Sequence, residues 1–446
     1  MANIFTEIWE MEDLRKRVLF TLGMLGVYRL GIFIPAPGID RVALGQWFNK
    51  QQNTMFGLYD LFSGGALSQF SVFVLGIMPY ITASIIMQLM GETVPQLKRI
   101  KDEGQQGRNR ITQYTRYLTI LIAVVQSSAM AVSMEQMRVD NSTVVIDPGW
   151  AFRVLTVLTM TGGACFVMWL GEQMTERGVG NGSSIIITAG IIAGLPAGAA
   201  QMFQLIRLGE VNLLGASLLL VFMFAVTYAI VFVERGQRRV PLQYAKRVLG
   251  RKVYEGQTTC LPLKFNTAGV IPPIFASSLL MFPSTIGQFY NNRIIDWLTT
   301  AFYPGAWLYN AVYCAMVIFF AYFYTAITFN PDDVAENLKK QGGYIPSVRP
   351  GTETAQYIDW ILTRLTAAGS IYLSIVCIIP TLLITEYQVP FYFGGTSLLI
   401  IVGVSLDTVA QIEAQLATRQ YDGVVGPKGS RIKGRRKRLG GQGPFV

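Results

Sequence analysis

Ten runs of predominantly apolar residues, each close to twenty long, follow one another along the chain, at about 18–34, 71–91, 117–137, 151–171, 183–203, 213–233, 267–287, 307–328, 366–386 and 396–415. A helix of ~20 residues spans the hydrocarbon core of a bilayer, and in lipid each such helix must satisfy its backbone hydrogen bonds internally. Only 14% of the 446 residues are charged, where a soluble chain carries about a quarter, and the mean hydropathy is +0.39. The expected fold class is an all-α polytopic membrane protein with ten transmembrane helices. The start, MANIFTEIWEMEDLRKR, has no apolar core followed by a small-residue cleavage site, so no removable signal peptide is expected.

Lysine and arginine placement sets orientation. Thirty of these residues fall on one side of the ten spans, among them Arg15, Lys98, Arg108, Arg177, Arg235, Arg238, Lys339 and Arg364, against six on the other side, Arg41, Lys50, Arg138, Arg153, Arg207 and Arg293. Both termini are thereby cytoplasmic, in keeping with an even number of spans. The chain divides into a five-span half at 1–208, a second at 209–415 and a basic cytoplasmic tail at 416–446.

Several function classes are disfavoured. Histidine, the commonest metal ligand and general base, is absent. Cys165, Cys260, Cys314 and Cys377 are scattered without a CxxC pair, as small buried apolar residues would be. No metal set, nucleotide motif or nucleophile–base pair is present, and no cofactor is expected. ERGVGNGSS, residues 176–184, contains G-x-G-x-G but no preceding strand, so it reads as a tight cytoplasmic turn with a helix cap rather than a phosphate loop. NST at 141–143 matches a glycosylation sequon, a weak signal in a single chain. Arg29 and Asp407 are the conspicuous charges inside spans, while Glu172 and Glu234 read as interfacial. Without a convincing partner for either, Arg29 and Asp407 make a poor ion-coupling site; Arg29 reads as snorkelling or pairing with another span. A secondary transporter with an inverted repeat is the rival from another class, and an intramembrane enzyme a third.

GIMPYITAS (76–84) and GVIPPIFAS (269–277) share Gly76/Gly269, Pro79/Pro272, Ile81/Ile274, Ala83/Ala276 and Ser84/Ser277. The topology runs the first outside-to-inside and the second inside-to-outside. Matching Gly/Pro-interrupted spans in two halves point to an inverted repeat with a substrate path between them. Ile77 and Ile81, four apart, share a helix face, and the repeat sets Ile274 opposite Ile81; branched side chains in a ring can gate by dewetting. Directly before the second span lies LFSGGALSQF (61–70), too short to cross a membrane and cut by two glycines. Two cytoplasmic connections exceed what a membrane hairpin needs. Residues 233–264 alternate basic with apolar residues, as a projecting hairpin does; residues 329–359 begin with a helical pattern and break at Gly, Pro and Arg349. Long ordered loops are usually functional.

The runs FIPAPGID, LFSGGALSQFSVFVLGIMPYITASIIMQL, EGQQGRNRITQYTRY, MWLGEQMTERGVGNG, VERGQRRV, NTAGVIPPIFASS, TAITFNPDDVAENLKKQGGYIPSVRPG and VPFYFGGTSLLI occur in order over roughly residues 10–415, and with them the chain resembles the SecY family of bacterial protein-conducting channels. The resemblance implies ten helices in two inverted pseudo-symmetric halves that open like a clamshell, with the second and seventh spans forming a lateral gate toward lipid. It implies a plug at 58–70, including Leu61, Phe62, Gly64, Gly65 and Leu67, and a pore ring of Ile77, Ile81, Ser183, Ile187, Ile274 and Ile400. Ser183 departs from the aliphatic pattern, so a slightly leakier ring, or a compensating contact from the plug, is expected. A gate polar cluster of Thr82, Gln126 and Asn266, pairing across helices, is implied likewise. So are docking loops at 235–264 and 329–365, in which Arg239 and Arg349 match the key arginines with Arg238, Arg247, Arg251 and Lys252 in support. The implied partners are SecE-like and SecG-like small subunits, the SecA motor ATPase, the ribosome, translocating precursor polypeptides and membrane lipid; the implied place is the bacterial cytoplasmic membrane. Such a channel is a passive pore, not an enzyme, and it passes secreted chains across the membrane and releases membrane segments sideways.

Overall fold

A computed structural model describes residues 11–40, 43–45, 64–136, 138–139, 142–208, 213–244, 247–249, 252–254, 258–287, 306–387 and 395–425. Each expected span coincides with one helix. These are α1 (Glu12–Ile32), α2 (Met78–Thr93), α4 (Gln105–Gln136), α5 (Trp150–Arg177), α6 (Gly182–Leu208), α7 (Leu213–Glu234), α8 (Ile271–Gly287), α9 (Trp307–Thr328), α11 (Thr352–Tyr387) and α12 (Gly395–Val425). Two short helices outside the spans, α3 (Pro95–Asp102) and α10 (Pro331–Lys340), complete the helical set among the described residues. Six helical stretches there, those at α4, α5, α6, α9, α11 and α12, are long and apolar enough to cross a membrane.

The helix ends follow local chemistry. Asn330 caps α10, its side chain accepting the Asp332 N–H, with Pro331 in the first turn, Asp332 and Asp333 near the positive end of the dipole and Lys339 and Lys340 near the negative end. The expected span 71–91 is helical only from Met78, because residues 64–77 form a succession of turns. Gly64, Gly65 and Gly76 all take positive φ, and so does Phe70 at +44°, a region a bulky residue enters only at a cost of roughly 1–3 kcal/mol when its surroundings hold it there. The turns find backbone partners in the chain leaving α1: Ala36 N–H donates to Phe70 O at 2.8 Å and Val72 N–H to Ile34 O at 2.9 Å.

One buried apolar cluster draws on α1, α2, α5, α6, α7, α8, α9, α11 and α12; a second packs residues 67–75 against α4 and α5 through Leu67, Phe70, Leu75, Met134 and Met160. Two hairpins complete the strands: β1 (Arg138–Val139) with β2 (Ser142–Thr143), and β4 (Arg247–Leu249) with β5 (Lys252–Tyr254). The long connections on either side of α8 and α9 meet in one sheet. β3 (Gln237–Tyr244) pairs antiparallel with β6 (Thr258–Lys264) on one side and with β7 (Gly343–Tyr344) on the other.

Candidate functional site

The two halves share a local geometry as well as a sequence. Gly76 (φ +53°) stands two residues before the start of α2, and Gly269 (φ +62°) two residues before the start of α8. Pro79 and Pro272 are the second residues of their helices, where a missing N–H costs nothing. The positive φ turns the chain sharply, and only glycine takes it without strain.

Five of the expected ring residues are buried in one apolar cluster. Ile77, Ile81, Ile187, Ile274 and Ile400 are all buried within the same apolar cluster, brought there by the start of α2, by α6, α8 and α12. Ser183 is the exception. Its Oγ donates to Asn181 Oδ1 at 2.7 Å, and its N–H donates to the same oxygen at 3.2 Å, so it belongs to the cap of α6, one turn before Ile187. The cap still lies beside the others: a Cβ on Gly171 would meet Ile77 Cδ1 at 3.1 Å and the Ser183 nitrogen at 3.7 Å. The 176–184 turn is the capped turn its composition predicts, with Gly180 at φ +83°.

Of the expected plug, Leu61 and Phe62 lie outside the described residues, while Gly64, Gly65 and Leu67 are described. Leu67 is fully buried in the second cluster and Ala66 in the first, the one that holds the five isoleucines. The Arg29 guanidinium donates to Gly64 O at 3.1 Å and to Ala189 O of α6 at 2.9 Å. The span charge that reads as partnerless in sequence is therefore held by two backbone carbonyls, 35 and 160 residues away. Asp407 is also paired, with Lys264 Nζ at 3.2 Å, and is more than half exposed. The helix that carries it, α12, continues past the expected end of the span at 415 to Val425.

Thr82 and Asn266 are satisfied separately, and Gln126 is left without a partner for its side-chain oxygen. Thr82 Oγ1 donates within its own helix to Met78 O at 3.0 Å. Asn266 Nδ2 donates to Glu234 Oε1 at 2.7 Å and to Gly269 O at 3.0 Å, ties that stay within the second half. Gln126 Oε1 is buried without a hydrogen-bond partner. The expected pairing of the three across helices is absent among the described residues: Thr82 and Asn266 find nearer backbone or carboxylate partners. Between α2 and α8 the polar contact present is Ser278 Oγ to Met78 Sδ at 3.9 Å, a weak one. Two further ties escape sequence reasoning: Gln411 Oε1 of α12 accepts the Gly180 N–H at 3.0 Å, and Thr21 Oγ1 of α1 accepts the Val179 N–H at 3.1 Å. Their short polar side chains carry no periodic signal.

The sheet β6–β3–β7 turns Val240, Leu242 and Leu263 inward against Leu338, Ile358 and Leu362 of α10 and α11, and leaves Arg238 and Arg239 exposed. Arg349 is exposed on the turn between β7 and α11, its carbonyl accepting Thr354 Oγ1 at 2.8 Å. Arg247 and Lys252 stand on the separate hairpin β4–β5; Arg251 lies outside the described residues. No group of three or more His, Cys, Asp or Glu side chains able to hold a metal occurs among the described residues.

Comparison with known proteins bears on what this arrangement serves. The SecY family profile matches residues 71–409. The chain is 49% identical over 426 residues to the protein translocase subunit SecY of Escherichia coli strain K12, covering 95% of this chain and 96% of that one. It is 47% identical over 431 residues to the subunit of Vibrio cholerae, with the same coverage. Among solved structures, one described as a protein-conducting channel aligns with a TM-score of 0.63 at 16% identity over 91% of this chain and 93% of its own. Sec61 in a canine ribosome–channel complex from the endoplasmic reticulum aligns at 0.60 and 15% identity over 90% and 92%. With this fold and these relatives along nearly its whole length, the chain belongs to the SecY family: it is a multi-pass membrane protein and a protein-conducting channel.

Proposed function

We propose that polypeptides pass between the two halves, 1–208 and 209–415, through the ring of Ile77, Ile81, Ile187, Ile274 and Ile400, with Ser183 at its edge. The burial of these five isoleucines, from four separate helices, in one continuous apolar cluster is the observation that carries the reading. An apolar constriction excludes water and ions yet yields to a passing chain, because branched side chains hold no fixed hydrogen bonds that must be broken. Residues 58–70 form the plug over it. Lateral release into lipid occurs between α2 and α8, whose weak polar contact favours separation, and Thr82, Gln126 and Asn266 line that seam, each free of strong ties across it.

The cytoplasmic sheet is the docking platform. Arg238, Arg239 and Arg349, with Arg247, Arg251 and Lys252, present fixed positive charge to phosphates of ribosomal RNA, where binding gains from counterion release, or to an acidic surface on a motor. The ribosome-bound relatives support the first partner; a SecA-type ATPase and SecE-like and SecG-like subunits follow from family membership. The channel is passive, not an enzyme, and takes its energy from these partners. It sits in the bacterial cytoplasmic membrane with both termini and the basic tail 416–446 inside.

The test is photo-crosslinking from the constriction. A photoreactive residue at Ile81 and another at Ile274 are each expected to give adducts with a secretory precursor stalled in passage. A bound, stalled precursor that reacts with neither would move the path elsewhere.

A further inference from the structure

We infer that Arg29 is the latch that holds the plug shut. The inference rests on the plug reading of residues 58–70. A segment without helical hydrogen bonds at membrane depth must find donors for its carbonyls inside the protein. Gly64 O is such a carbonyl, and its donor is Arg29 Nη1 at 3.1 Å. The second arm of the same guanidinium, Nη2, donates to Ala189 O of α6 at 2.9 Å. One rigid, planar side chain thereby ties the plug, α1 and α6 together, which a lysine with a single ammonium would do less well.

The backbone is shaped for this contact. Gly64 has φ +72°, and a Cβ there would come within 2.9 Å of Gly190 Cα, the residue after Ala189, and 3.6 Å from Ile32 Cδ1, one turn beyond Arg29. Two glycines face each other, and the Arg29 hydrogen bonds straddle the point where they touch. On the far side of the segment Phe70 is buried and held at φ +44°. A strained residue favours movement out of its site, and the latch opposes that movement. Breaking the two bonds leaves both carbonyls without the charged donor, so the closed state loses stability while the open state, in which the plug has left α6, is little affected.

The experiment reads resting ion conductance of the channel, reconstituted with its partner subunits, in planar bilayers without precursor. Arg29→Gln is expected to raise resting conductance about tenfold, the loss of charge-assisted hydrogen bonds, and Arg29→Lys by less. Gly64→Ala, which leaves Arg29 in place but forces the plug off Gly190, is expected to leak as well, and it keeps the test alive should Arg29→Gln not fold. Deletion of residues 60–68 is the companion measurement. It should leak, and Arg29→Gln should add nothing in the deleted background, because a latch has no effect where there is no plug. Additive leakage would make Arg29 a merely structural residue and overturn the inference. A leaking deletion with Arg29→Gln and Gly64→Ala both at parental conductance would overturn the latch and leave the plug standing. A silent deletion would overturn the plug, and the latch with it.

Discussion

Glu135 accepts two hydrogen bonds from the Arg153 guanidinium, at 2.9 and 2.6 Å, and a third from the Gly149 N–H at 3.2 Å, closing one end of the antiparallel α4–α5 pair. Arg116 and Glu172 close the other end at 2.8 and 2.9 Å. On both helices nineteen residues separate the two charges, about 28 Å at the helical rise of 1.5 Å per residue, close to the ~30 Å of the hydrocarbon core. The two ion pairs are thus spaced about one hydrocarbon-core thickness apart along this helix pair.

Glu172→Gln should lower the detergent melting temperature by about 1–2 °C, since a pair with a partly exposed arginine contributes at most ~1 kcal/mol. Exchanging the charges, Arg116→Glu with Glu172→Arg, should recover part of the loss. Equal melting for parent, single variant and exchange would mean that this bridge holds nothing.

Ser183→Ile should tighten the seal. Asn181 Oδ1 keeps the backbone N–H of position 183, so the cap of α6 survives, while an aliphatic side chain enters beside Ile77. Single-channel recording in the absence of precursor should show fewer spontaneous openings; more frequent ones would place position 183 away from the constriction.

Joining α2 to α8 should abolish sideways release. With Met78→Cys and Ser278→Cys, a short flexible dithiol linker should block insertion of membrane segments, while the unlinked double variant inserts them normally. Unimpeded insertion in the linked protein would exclude this seam as the gate.

Arg349→Glu should reduce motor-driven export about tenfold through the reversed charge, with folding intact because Thr354 holds the backbone carbonyl of residue 349 and not its guanidinium. Export at the parental rate, measured in inverted vesicles with the motor supplied, would remove Arg349 from the docking surface.

Much of this molecule was legible beforehand because bilayers impose a strong period on sequence. Every span placed by hydropathy has its helix, and the Gly/Pro repeat reappears as two matched turns before α2 and α8. The failures have a common cause. Hydropathy cannot distinguish apolar turns from apolar helix, so Ser71 to Ile77 reads as part of a span although positive-φ glycines keep it coiled. Partners distant in the chain are equally invisible: Arg29 meets backbone carbonyls, which carry no sequence signal, and Asp407 meets Lys264 from another connection. Thr82 and Asn266 read as one cluster by family position, but local geometry gives each a nearer acceptor.

The shared sheet has a mechanical consequence. Because Gln243 pairs with Tyr344, and Val240 and Leu242 rest on α10 and α11, the two long connections form one handle. A load applied to either is passed through the sheet to the helices that flank both connections, α7, α8, α9 and α11. A protease nick at residues 250–251 should then leave the fragments associated, with the handle still able to transmit force.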